Sequence, residues 1–241
     1  PVFKFFQAHN YRIDNYSLFD YTAFPTQGWS FFGDLPERLL NDRTLLYRLR
    51  RDVGWKMERS FFHTALENDS IQIRRNVEQT HARYQELIHN WQESLQQMRK
   101  AQQPVFSVFH VMLPHEPYIY DSSGALIYRS YNTAAGDFIG QVIHTNTLLK
   151  NWIRQCLSLQ DQRRLLLVVQ GDHGYKYEEE DGRFSKESNR ILLAVYDSQQ
   201  QYNQWTEDVN GVNIFRMLLN QYFGQHLPLE RTVTVQLRYR N

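Results

Sequence analysis

Three apolar runs constrain this 241-residue chain more than any other feature: "VFSVFHV" at 105–111, "LLLVVQ" at 165–170 and "ILLAVY" at 191–196. Their apolarity is continuous rather than alternating, and β-branched and aromatic residues are common in them. That is the pattern of strands covered on both faces. Helical stretches are interleaved with the runs. Between 71 and 102, Val77, Tyr84, Ile88, Trp91, Leu95 and Met98 recur at steps of three, four or seven, the period of a long amphipathic helix. Two more helices are expected over 136–159 and 212–222, the end of another over 1–9, and a short strand in "YRIDNYSLFD" ending at Asp20. Strands alternating with helices imply an α/β fold with a mostly parallel central sheet and helices on both faces.

Residues 21–69 are aromatic and irregular, interrupted by Pro25, Gly28, Gly33, Pro36 and Gly54, with short helical pieces in "LPERLLNDRTLLYRLRRDVGW". They read as a packed loop region over a domain face. No internal repeat, low-complexity tract or linker divides the chain, so a single domain over 1–241 is expected.

Charge narrows the partners. Lys and Arg number 27 against 26 Asp and Glu, a net charge of +1, which gives no long-range pull toward nucleic acid or an acidic membrane. The basic clusters "RLRRD" and "LRYRN" are short and lack regularly interleaved aromatics, so nucleic-acid binding ranks last. No apolar run approaches the roughly 18 residues needed to cross a bilayer, and "PVFKFFQAHNY" lacks the order of a signal peptide. The one cysteine, Cys156, lies on a helical stripe with Leu149, Trp152, Ile153 and Leu157, and is read as packing rather than as a reactive thiol.

Two strand ends carry chemistry. In parallel sheets, ligands collect beyond the carboxyl ends of strands. The first run leads through His110 into "PHEPY", where His115 sits between prolines in an extended loop that restricts its ring. Such restriction suits a histidine that meets an anionic oxygen or protonates a leaving group. His110 is a structural strand histidine or a substrate-side group, and the Glu116 carboxylate is expected to face water. The second run ends in "GDHG", which offers a carboxylate and an imidazole as neighbours. Asp172 and His173 are either two ligands of a divalent metal or a turn cap beside a surface ring.

"FHVMLPHEPYIYDSSG", "QVIHTNTLLKNWI", "LLLVVQGDHGYKY" and "VNIFRMLLNQYFGQHLPL", in this order, resemble the later part of the sulfatase-like branch of the alkaline phosphatase superfamily. The likeness is to bacterial membrane-anchored sulfatases and phosphoglycerol transferases in particular. It covers most of 105–229, and the opening "HNYRIDNYSLFD" also fits. The resemblance implies cleavage or transfer of sulfate or phosphate esters with a divalent ion (Zn, Mn, Ca or Mg), on a small-molecule, glycan or lipid substrate, at the extracytoplasmic face of a bacterial inner membrane. It places Asp172 and His173 on the family's late metal ligands and His115 on a histidine facing the anionic head or leaving oxygen. His110 is a further substrate-side match. Lys186 and Arg190 correspond to basic residues near the anion or to a solvated loop.

The chain departs from the family at its front. The family's Asp-ended strand and its Ser, Thr or modified Cys nucleophile are not seen, and Cys156 lacks the Cys-x-Pro-x-Arg setting. The expectation is that nucleophile, first metal ligands and membrane helices precede Pro1, and that this stretch alone is catalytically silent. The alternative is a binding or structural module that keeps the fold without the reaction.

Overall fold

A computed structural model describes residues 2–19, 21, 23–28, 70–129, 135–174, 190–203, 205 and 209–231. Most of the aromatic loop region expected over 21–69, both basic clusters and Lys186 lie outside them. The chain divides into two compact units, Pro1–Gln155 and Cys156–Asn241.

In the first unit, helix α1 (Val2–Ala8) leads into strand β1 (Arg12–Tyr16). Helix α2 (Ser70–Lys100) follows, then strand β2 (Val105–Phe109) and helix α3 (Ala135–Leu157), whose last two residues fall in the second unit. β1 and β2 pair in parallel, with Arg12 opposite Val105 and Tyr16 opposite Phe109. Parallel neighbours need a crossover, and α2 lies within it. At 31 residues α2 is about 46 Å long. Of its expected stripe, Val77, Tyr84, Trp91 and Leu95 are buried, so periodicity located the helix and the face it turns inward.

Aromatic rings bind this unit together. Trp91 stacks on Trp152 with centroids 5.4 Å apart and meets Phe109 edge-on at 4.7 Å, while its Nε1 donates to Gln155 Oε1 at 3.1 Å. The cross-strand partners Tyr16 and Phe109 stack at 4.5 Å, and Phe6 stacks on Phe106 at 4.1 Å. Such pairs add about 0.5–1.5 kcal/mol beyond area burial. A further cluster joins Val77 and Tyr84 of α2 to Leu113, Ile119 and Tyr120. The flanks of the "PHEPY" loop are thus part of the core.

In the second unit, strand β3 (Leu166–Gln170) pairs with strand β4 (Leu193–Asp197), and helix α4 (Ile214–Phe223) buries Ile214, Met217, Leu218 and Leu219. Gly224 ends α4 at φ +61°, a conformation that favours glycine. Asp197 is fully buried and accepts from the Gln199 amide at 2.9 Å, the Tyr222 hydroxyl at 3.0 Å, the Gln201 amide at 3.2 Å and Arg164 at 3.4 Å. Burial raises its pKa, but these bonds and the guanidinium outweigh that, so the carboxyl titrates below its ordinary value.

Two expectations are corrected. β4 runs antiparallel to β3, with Leu166 opposite Asp197 and Gln170 opposite Leu193. The described strands form two two-stranded ribbons, one parallel and one antiparallel, so α/β holds but a mostly parallel central sheet is not what they build. Continuous apolarity carries no information on strand direction, which the connecting chain sets. Nor are the apolar strands sealed on both faces. Residues of β2 and β3 are half-buried, apart from the exposed Gln170, because each ribbon has a single neighbour per strand among the described residues.

Candidate active site

β2 ends where the first cluster begins. The His110 amide continues the ladder to the Tyr16 carbonyl at 3.4 Å, and its half-buried ring lies 5.7 Å from Phe19. His115 is then reached through a four-residue turn rather than an extended loop, closed by its own amide donating to the Met112 carbonyl at 2.7 Å. Proline fixes its own φ, but whether the loop extends or closes depends on such a bond. The peptide bonds Leu113–Pro114 and Glu116–Pro117, on either side of His115, are both cis.

Leu113 on one side of the turn and Ile119 and Tyr120 on the other are buried, while His115 and Glu116 at the tip are exposed. The His115 Nδ1 bonds the Glu116 carbonyl at 2.6 Å. A carbonyl only accepts, so Nδ1 carries the proton and Nε2 is the nitrogen left for other work. Glu116 therefore orients the ring through its main chain, while its side chain faces water as expected.

One residue of this loop's support was missed in the sequence. Gln141 of α3 is fully buried. Its Oε1 accepts from the amides of Ile119 at 2.8 Å and Tyr120 at 3.3 Å, and its Nε2 lies 2.8, 3.2 and 3.4 Å from the carbonyls of His115, Pro114 and Pro117. The signal was present, since Gln141 shares a helical stripe with Leu148 and Trp152, where a polar residue needs a partner.

The second cluster lies past the carboxyl end of β3. The Gly171 amide donates to the Leu192 carbonyl at 2.9 Å, so the antiparallel turnaround sets "GDHG" beside the entry to β4. Arg190, exposed, enters β4 at that same edge of the ribbon. The Asp172 side chain is 78% exposed and that of His173 33%. Asp172 Oδ1 accepts from the His173 amide at 2.9 Å, as a turn cap does, while Oδ2 lies 3.7 Å from His173 Nε2. His173 Nδ1 donates to the Gly174 carbonyl at 2.7 Å, which again leaves Nε2 with its lone pair.

A carboxylate oxygen and an imidazole nitrogen are ligand types found at zinc and manganese sites. Among the described residues, no group of three or more His, Cys, Asp or Glu gathers to complete one. Cys156 supplies neither ligand nor nucleophile, since it is buried and burial pushes its thiol up to about 11. Among the described residues, no helix is long and apolar enough to cross a membrane.

The described elements make an α/β chain with imidazoles and a carboxylate just past its strand ends. The family model "Sulfatase" matches residues 7–215, through both units, and the chain belongs to the sulfatase family. That family acts on sulfate or phosphate esters and in general uses a divalent metal. No curated protein and no solved structure matches the chain.

Proposed function

We propose that this protein is a metal-dependent hydrolase or transferase of sulfate or phosphate esters, in which 1–241 forms a single sulfatase-like α/β domain. One observation carries the reading. His115 and His173 each spend Nδ1–H on the carbonyl of the next residue and so present Nε2. A ring held this way is preset either to exchange a proton at Nε2 or to ligate through it.

In this reading Asp172 and His173 are metal ligands. A divalent cation supplies Lewis-acid polarisation of the ester when bound. His115, as the imidazolium, gives its Nε2 proton to the oxygen that leaves as the ester bond breaks, which returns the neutral Nδ1–H ring. Nε2 then takes a proton from the water or alcohol that receives the sulfate or phosphate group. His110 borders the substrate side, and Arg190, with Lys186, attracts the anionic head. The resemblance in motif order to membrane-anchored relatives supports an extracytoplasmic setting and a glycan, lipid or small-molecule ester as substrate.

The test is Asp172→Ala in the full-length protein, with Zn²⁺ and Mn²⁺ binding measured alongside turnover of 4-nitrophenyl sulfate and 4-nitrophenyl phosphate. Metal affinity should fall by more than the roughly 10–100-fold that loss of an outer partner costs, and turnover with it. Relative rates on the two esters decide sulfate against phosphate. Unchanged metal content would leave Asp172 as the turn cap that its Oδ1 contact describes, and the metal assignment would be withdrawn.

A further inference from the structure

The side chain that fixes the His115 turn comes from a helix 26 residues further on. Gln141 is fully buried, and its amide is committed at both ends to the main chain of 114–120. A leucine or methionine would fill the same volume without the cost of burying an amide, so packing alone does not account for a glutamine here. What the amide achieves is local. It holds three carbonyls of the proline-rich turn on one side and two amides on the other, and the turn held in this way is the one that lets the His115 ring reach the Glu116 carbonyl.

We propose that Gln141 is a positioning residue for ester cleavage. By clamping 114–120 it keeps the neutral His115 ring as the Nδ1–H tautomer, so that the proton gained and lost at Nε2 is the one exchanged with the leaving oxygen. This rests on the acid–base role proposed for His115, and names the residue that sets its geometry. Free imidazole side chains favour the Nε2–H tautomer, so the Nδ1–H form has to be imposed by its partner.

The experiment reads the ring directly. Long-range ¹H–¹⁵N correlation in ¹⁵N-labelled protein, at a pH where His115 is neutral, should show the Nδ1–H tautomer. Gln141→Leu removes both ends of the clamp. Gln141→Glu keeps acceptors for the Ile119 and Tyr120 amides but sets a carboxylate against three carbonyls. Both should return His115 to the Nε2–H form, and amide exchange at Ile119 and Tyr120 should quicken in Gln141→Leu. If Gln141→Leu does not fold, Gln141→Glu decides by the same signal.

Turnover of the two 4-nitrophenyl esters by the full-length protein supplies the second readout. kcat in the Gln141 variants should drop on the order of 10²-fold with KM little changed, the scale of a misplaced catalytic group. No further drop should appear when either change is added to His115→Ala. An Nε2–H ring in the unaltered protein, or an Nδ1–H ring surviving in a folded Gln141 variant, overturns the inference. So does a kcat loss that persists undiminished without His115. Full activity in His115→Ala, with the tautomer reversal still seen, instead sinks the acid–base reading and leaves the clamp standing.

Discussion

In the His115 turn, five hydrogen bonds from one buried amide hold the main chain, and the flanking Leu113, Ile119 and Tyr120 are core residues. In "GDHG" the side-chain bonds among the described residues run between sequence neighbours, and the Asp172 side chain is mostly in water. In the roles proposed for the two loops, a proton-donating ring must be aimed before the substrate arrives, since nothing else will aim it. Ligands for a metal tolerate a looser start, because the ion itself draws oxygen and nitrogen into place and contributes binding energy to the ordering.

The sharpest way to break this contrast is stability. Gln141→Leu strands the buried amides of Ile119 and Tyr120 and should cost about 2–4 kcal/mol, by the usual penalty for unsatisfied buried donors. Asp172→Ala, at an exposed position, should stay within about 0.5 kcal/mol without metal. Urea unfolding of both variants in chelator compares them directly. Equal losses would mean that the two loops are built alike.

Glycines give a smaller version of the same comparison. Gly124 has φ +88°, and an added Cβ would lie 2.6 Å from His144 Cε1 and 2.7 Å from its Nδ1. That ring is packed 4.5 Å from Tyr120 and has little room to yield. Gly124→Ala should therefore cost about 1–3 kcal/mol from backbone strain and overpacking. At Gly171, beside "DHG", the nearest atom to a new Cβ is the Leu192 nitrogen at 3.6 Å, an ordinary contact. Gly171→Ala should fall within about 0.5 kcal/mol of the parent. A loss at Gly171 matching that at Gly124 would show a tightness in the second loop that its contacts do not display.

The sequence was most legible where one signal ran long. The stripe Val77, Tyr84, Trp91 and Leu95 located α2 and its buried face, because helical steps of seven, seven and four held that long leave few other readings. The strands were legible as strands, and Cys156 as packing. The direction of β4 was not legible, since "ILLAVY" is as apolar in either orientation. Among the candidate residues, His115, Asp172 and His173 stood out by residue type, but their holding bonds did not. His115 and His173 both lean on main-chain carbonyls, which every residue has, and Gln141 reaches across from another helix. Arg190 comes to the "GDHG" edge through the antiparallel pairing of β3 and β4, where the sequence had pointed to a mostly parallel sheet.

The smallest expected effect is a pH dependence confined to the first unit. His144 of α3 is half-buried against Tyr120 and beneath Gly124. Burial lowers its pKa below the ordinary imidazole value, and the nearby Asp121 carboxylate offsets this only in part. Tyr120 in turn shares a 2.9 Å hydrogen bond with His81 Nδ1, so the ring lies beside a tyrosine that is already engaged. With the folded pKa depressed, the unfolded chain takes up a proton first as pH falls below about 6.5. The stabilisation from a neutral His144 is thus fully present above that value and is lost as pH drops through the folded pKa. Substituting His144→Phe keeps a ring against Tyr120 and removes the titration. The thermal midpoint of the parent should fall more steeply between pH 7 and pH 5 than that of the variant, with the two slopes equal above pH 7. Parallel curves over the whole range would show that His144 is as well hydrated in the fold as outside it, and the packed surroundings argued for the loop that ends at Gly124 would have to be loosened accordingly.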